Sequence, residues 1–149
     1  MPIRLFVAGL FLLLLTACSE PNEALSGTFH APEHAAAEFF DAIYNKNDLK
    51  LAKSLSTPEL AELIAHYGTP RQVARTLINM SYDEVTINVN RAGQNLREQY
   101  GNETDVMLVF SGPFDGRIVN EMRVVRMVRV RGRWLVAEIK NDPFSNGRN

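Results

Sequence analysis

Cysteine is almost missing from this chain: its 149 residues include one, Cys18. A lone cysteine excludes an internal disulfide, so any exported domain must be held by its hydrophobic core. Excess charge is missing as well, since 16 Lys and Arg stand against 17 Asp and Glu for a formal net charge of −1. That balance gives no electrostatic case for a nucleic-acid partner. The long apolar run is short for a membrane span: Leu5 to Ala17 would cover about 20 Å as a helix, against a hydrocarbon core of roughly 30 Å. No G-x-S-x-G, Walker loop, dinucleotide fingerprint or zinc-ligand set occurs, so no cofactor and no metal is expected. His30 and His34 have the spacing of a helical metal pair, but Pro32 lies between them and no third ligand follows in register.

What the first residues do contain is ordered. Met1 to Arg4 is positively charged, Leu5 to Leu15 is apolar, and Thr16 and Ala17 are small residues ahead of Cys18. Together they form the three-part pattern of a secretory signal. The run Leu15-Thr16-Ala17-Cys18 resembles the lipobox of bacterial lipoproteins. The resemblance implies that the Cys18 thiol takes a diacylglyceryl group, that cleavage precedes it, and that the new amine is acylated. Several acyl chains on one residue make dissociation from the bilayer negligible, so Cys18 is expected to anchor the protein to the membrane. Position +2 is Ser19 and not Asp. In a Gram-negative cell the resemblance then implies the outer membrane, facing the periplasm; with a single membrane it implies the outer surface of the cell envelope. The expected organisation is a signal peptide over 1–17, a lipidated tether over 18–32 that is polar and broken by prolines, a domain over 33–141 and a tail over 142–149.

From Glu33 the pattern is helical. Ala36, Phe39, Phe40, Ile43 and Tyr44 recur at three and four residues and place one apolar stripe inward. Asp48 is set to cap a short helix carrying Leu49, Leu51, Ala52 and Leu55, and Thr57-Pro58 and Thr69-Pro70 repeat a cap followed by proline at the first helical position. Gly68 suits the stop between them. Three or four helices ending near Met80 follow. The second half has period two: Val85, Ile87 and Val89, then Val106, Leu108 and Phe110, alternate with their neighbours. A turn is expected over Gly112 to Gly116, then a long strand Arg117 to Arg131, a tight Arg131-Gly132 turn, and a last strand Arg133 to Lys140. Helices first and antiparallel strands after define an α+β domain, with N-terminal helices packed on an antiparallel sheet.

The helix reading AAAEFFDAIYNKNDLKLAKSLSTPEL, then more helix, then a sheet closing on Gly132-Arg133-Trp134, resembles the nuclear transport factor 2-like superfamily, and within it the small lipoproteins of unassigned function. The resemblance implies a curved sheet and a long first helix forming a cone whose mouth can hold a small ligand. Its members include isomerases, dehydratases, cyclases and subunits that only bind partners, so the fold does not choose the function.

The catalytic members use a carboxylate aimed into the cone, often with Tyr or His. Here the carboxylates near apolar elements are Asp41, Asp83 and Asp105, and the available companions are Tyr44, His66, Tyr67 and Tyr82. None forms a recognisable dyad: Asp41 lies two residues from both Phe39 and Ile43 and so points to solvent, and Asp83 and Asp105 begin strands. Phe40, Tyr44, Tyr67 and Trp134 either line the cone or fill it, and close packing of interiors favours filling. Arg126 shares the parity of Met122, Val124, Val128 and Val130, which on a regular strand aims it into the cone to meet an anion. A bulge near Val125 would instead send it outside, and that alternative is preferred. Arg123, Arg129, Arg131 and Arg133 form a basic edge, read as a solvated face. The expected function is a non-catalytic, lipid-anchored module of the cell envelope that binds a small ligand or an envelope protein. The alternatives are a small cofactor-free isomerase or lyase using a carboxylate in the cone, and a pocketless structural module that can pair as a homodimer through the outer face of its sheet.

Overall fold

The computed structural model describes residues 31–90 and 101–140. The signal peptide 1–17, Cys18 and nearly all of the tether, His30, the 91–100 stretch and the tail 142–149 lie outside the described residues.

The first helix, α1, runs Pro32–Tyr44, one residue earlier than expected, with proline at its first position. The short α2 (Leu49–Ser54) is capped by Asp48, whose carboxylate accepts the Leu51 N–H at 2.9 Å. Thr57 caps α3 (Pro58–Tyr67) and Thr69 caps α4 (Pro70–Gln72), each with proline next, and Gly68 ends α3 in the left-handed conformation at φ 74°. α4 continues as a π-helical segment, Val73–Ile78, ending on left-handed Asn79.

Among the described residues four antiparallel strands follow in the order β1-β2-β3-β4: β1 (Thr86–Asn90), β2 (Glu103–Phe114), β3 (Arg117–Val130) and β4 (Arg133–Lys140). β2 runs through Gly112-Pro113-Phe114, where a turn was expected. Pro113 is tolerated because its backbone faces the side beyond the end of β1, and there its carbonyl accepts the Asp83 N–H at 3.1 Å while no N–H is required of it. Gly112 is needed for a different reason: a Cβ there would collide with the carbonyl oxygen of Glu84, which crosses directly over it. The hairpin turns shrink to Asp115-Gly116 and, as expected, Arg131-Gly132, all four at positive φ as two-residue turns between twisted strands require.

The helices bury one face of the sheet. Phe39, Phe40 and Ile43 of α1 meet Val106, Leu108 and Phe110 of β2, Val125 and Met127 of β3, and Val136 of β4 in one core. Phe40 stands edge-on to Phe39 at 5.0 Å and to Phe110 at 4.9 Å, an arrangement the ring quadrupoles favour. Two further contacts lock the edges. The Asn45 side chain donates to the Val85 carbonyl at 3.0 Å and accepts the Val85 N–H at 3.2 Å, acting as a one-residue substitute for a neighbouring strand. At the opposite edge, the Thr57 N–H bonds the Val136 carbonyl and the Val136 N–H bonds Leu55, so the α2–α3 connection covers β4.

Phe40→Ala should lower the free energy of unfolding by about 3–5 kcal/mol, whereas Leu63→Ala, at a position 41% exposed, should change it by less than about 0.5 kcal/mol. Urea denaturation followed by circular dichroism measures both.

Candidate functional site

α1 ends at Tyr44, and its phenol is drawn under the chain that links the π-helical segment to β1, donating to the Met80 carbonyl at 3.0 Å. Tyr82, two residues on, donates to Glu121 Oε2 at 3.1 Å. The two rings sit 5.8 Å apart, nearly perpendicular. Burial pushes the Tyr44 hydroxyl well above the usual phenol range, and burial together with the Glu121 charge does the same to Tyr82. Both phenols therefore remain protonated and serve as hydrogen-bond donors. Arg123, two residues after Glu121 on the same face of β3, is 8% exposed and lies close enough to act electrostatically on both phenols. Its guanidinium donates to the Met122 carbonyl at 2.8 Å, and among the described residues no carboxylate stands within ion-pair distance of it.

Above this polar cluster opens a groove of about 430 Å³, bounded by the end of α1, by α4 with the π-helical segment, and by the end of β2. Tyr44, Tyr82 and Phe114 supply its aromatic wall, Ala74 its small floor position, and Arg71, Arg75 and Asp83 its charges. Phe114 is 45% exposed, a large ring left open to the groove. Among the described residues Arg71, Arg75 and Asp83 have no ion-pair partner. A larger groove, about 590 Å³, runs between α1 and β1 past Glu38, Asp41, Asn45, Lys46 and Val85. Size favours that second groove, but its polar groups are largely spent on one another: Lys46 pairs with Asp41 at 2.9 Å, and Asn45 bonds both Asp41 and Val85. Uncommitted charge beside open aromatic surface makes the smaller groove the better candidate for a binding site.

The residues expected from sequence separate in space. Tyr44 lines the groove. Phe40 is fully buried and fills the interior. Tyr67 closes α3 with its ring 5.9 Å from that of His66, and Trp134 packs near the β3–β4 hairpin with the Arg129 guanidinium 6.0 Å over its ring. Asp41 holds Lys46 and Asn45 at the surface, and the Asn45 hydrogen bond above all keeps its pKa below the usual carboxylate range. Asp83 is exposed on the groove.

Arg126 does not point inward. It lies on the outer face of the sheet, donating to Asp105 at 2.7 Å, with Glu103 at 3.6 Å and Glu138 as its cross-strand neighbour. The alternation of β3 is unbroken through Met127; the register shift falls in its pairing with β4, between Arg126 and Met127. Arg126 is therefore outside, the preferred alternative, but without a bulge near Val125 to flip it: the buried set is Arg123, Val125 and Met127, while Met122 and Val124, taken as inward, sit on the outer face. Arg123 accordingly leaves the basic edge, which keeps Arg129, Arg131 and Arg133 at the hairpin. Sequence reasoning also missed Glu121, Arg71, Arg75 and Phe114. For Glu121 and Arg123 the signal was the parity shared with Val125; for the two arginines it was their four-residue spacing on one helix.

Asp105 supplies a pH test. Partial burial opposes its charge, but the hydrogen bonds from Arg126 and Lys140, the latter at 2.6 Å, outweigh that and lower its pKa. A carboxylate with a depressed folded-state pKa contributes stability above its unfolded value, near 3.9, and loses it as pH falls. Thermal unfolding of the Asp105→Asn variant should therefore show less stability at neutral pH than the parent and a shallower decline below about pH 4.

No protein-family model matches the chain, and no curated protein matches it. Among solved structures it is similar to the solution structure of a SEC-C motif containing protein from Rhodopseudomonas palustris, at 18% identity and a TM-score of 0.51, over 78% of this chain and 84% of that one. The likeness is one of fold: helices with a four-stranded antiparallel sheet in an α+β domain.

Proposed function

We propose that the chain is a lipid-anchored lipoprotein of the cell envelope, held by acylated Cys18, whose nuclear transport factor 2-like domain binds a small ligand or an envelope protein and performs no chemistry. The observation that carries the binding reading is the groove beside Tyr44, Tyr82 and Phe114, where open aromatic surface meets charges with no partner among the described residues. The space between α1 and the sheet is taken up by Phe39, Phe40, Leu108 and Phe110, which moves a ligand from the interior to this end of the domain. The leader pattern and Ser19 support the envelope location, on the outer membrane facing the periplasm in a Gram-negative cell. The Tyr82–Glu121 hydrogen bond is the feature closest to a carboxylate-based isomerase or lyase, but Glu121 is not among the residues lining the groove.

A second reading, self-association, is favoured by the outer face of the sheet. Met107 stands opposite Val124 and Val109 opposite Met122, an apolar block on the face turned away from the core, bordered by the charged Asp105–Arg126–Glu138 row. Antiparallel sheets with a free outer face normally carry polar residues there. A homodimer would cover the block.

Two measurements test these readings. Native mass spectrometry of the processed chain released from membranes in mild detergent should show triacyl mass at Cys18 and a reproducible noncovalent adduct that Phe114→Ser removes; a bare mass in both proteins would sink the ligand reading. Sedimentation equilibrium should give a dimer that Val109→Asp with Val124→Asp converts to monomer, and a monomer at all concentrations counts against self-association.

A further inference from the structure

We infer that the groove beside Tyr82 takes a small amphipathic anion, an aromatic or alkyl body bearing one carboxylate, sulfonate or phosphate group, with Arg71 and Arg75 holding the anionic end. The inference rests on the reading of this groove as a ligand site and adds the chemistry of the ligand.

Arg71 and Arg75 are four residues apart across the junction of α4 with the π-helical segment, and both line the groove with Ala74 between them. Both side chains are exposed, and among the described residues no carboxylate lies within ion-pair distance of either. Arginines bind oxyanions through a planar fork of donors, and two on one helix face can hold one oxyanion between them. Among the described residues of the lining Asp83 is the sole carboxylate, set against Arg71 and Arg75, so these residues carry a net positive charge. Behind Tyr44 and Tyr82, the buried Arg123 and the half-buried Glu121 add charges of opposite sign close together, which leaves the balance unchanged.

The apolar half of the ligand follows from the wall. The Tyr44 and Tyr82 hydroxyls already donate hydrogen bonds to the Met80 carbonyl and to Glu121, so they present rings more than donors. Phe114 adds open aromatic surface. A volume of about 430 Å³ suits a small molecule and not a folded partner. A fully hydrated inorganic ion would leave the aromatic wall uncovered, and a neutral hydrocarbon would leave two arginines without a use.

The probes are 8-anilinonaphthalene-1-sulfonate and its uncharged relative N-phenyl-1-naphthylamine, titrated by fluorescence into the full processed chain and its variants. The parent should bind the sulfonate more tightly than the amine, with an affinity that falls as salt rises. Arg71→Gln with Arg75→Gln, both at exposed positions, should weaken the sulfonate by about tenfold or more and leave the amine unchanged. Phe114→Ser should weaken both probes, and Asp83→Asn should tighten the sulfonate alone. Equal binding of the two probes by the parent, or sulfonate affinity untouched by the double arginine change, overturns the anion assignment while the groove stands as a site. Indifference of both probes to Phe114→Ser removes the groove itself, and the anion inference with it.

Discussion

The apolar stripe of α1 laid against one face of the sheet is the contact on which the rest of the structure depends. Phe39, Phe40 and Ile43 are buried together with Leu108, Phe110 and Val125, and the edge-to-face contact of Phe40 with Phe110 ties the helix to the second strand. Close-packed interiors tolerate neither voids nor extra volume, so this one contact decides which parity of every strand is inside. Arg123 and Glu121 come inward because they share a face with Val125, and Arg126 goes out because it shares one with Val124.

That packing also decides where binding can occur. With aromatic rings filling the space between helix and sheet, polar groups gather where the core runs out, at the last turn of α1. Tyr44 is the hinge between the two regimes: its ring contacts Phe110 at 6.2 Å, while its hydroxyl bonds the Met80 carbonyl that leads from the π-helical segment to Tyr82. The same hydrogen bond helps to hold the chain on which Tyr82 and Asp83 approach the groove. A buried arginine such as Arg123, with no ion pair among the described residues, is unusual because the desolvation of its charge is costly. Here it is set among two phenols, a carbonyl and a nearby carboxylate, which together stand in for part of the lost water.

The outer face of the sheet obeys a different logic. Asp105 bridges Arg126 and Lys140 across three strands, a network at the surface whose individual pairs contribute little in high dielectric. Beside it the Met107, Val109, Met122 and Val124 block is apolar where solvent would favour polar side chains. Such a face asks for a cover, whereas the charged row beside it limits how a cover can sit.

The order of elements, the α+β class, the Asp48, Thr57 and Thr69 caps and the Arg131-Gly132 turn were all determined by the sequence alone, because each rests on local chemistry within a few residues. The apolar run Leu5 to Leu15 and the Leu15-Thr16-Ala17-Cys18 sequence after it are likewise plain in the sequence, and what their resemblance to a lipoprotein signal implies for location is part of the proposed function. What only the tertiary structure decided is the inward face of β3. Its two faces are both rich in apolar residues, so period two reveals that there are two sides and not which of them meets α1. The extension of β2 through Pro113 needed the short β1 beside it, and the groove needed Arg71, Tyr82 and Phe114 to converge from three separate segments. Local pattern carries no information about such convergence, because it is set by how the helix docks on the sheet and not by any residue's neighbours in sequence.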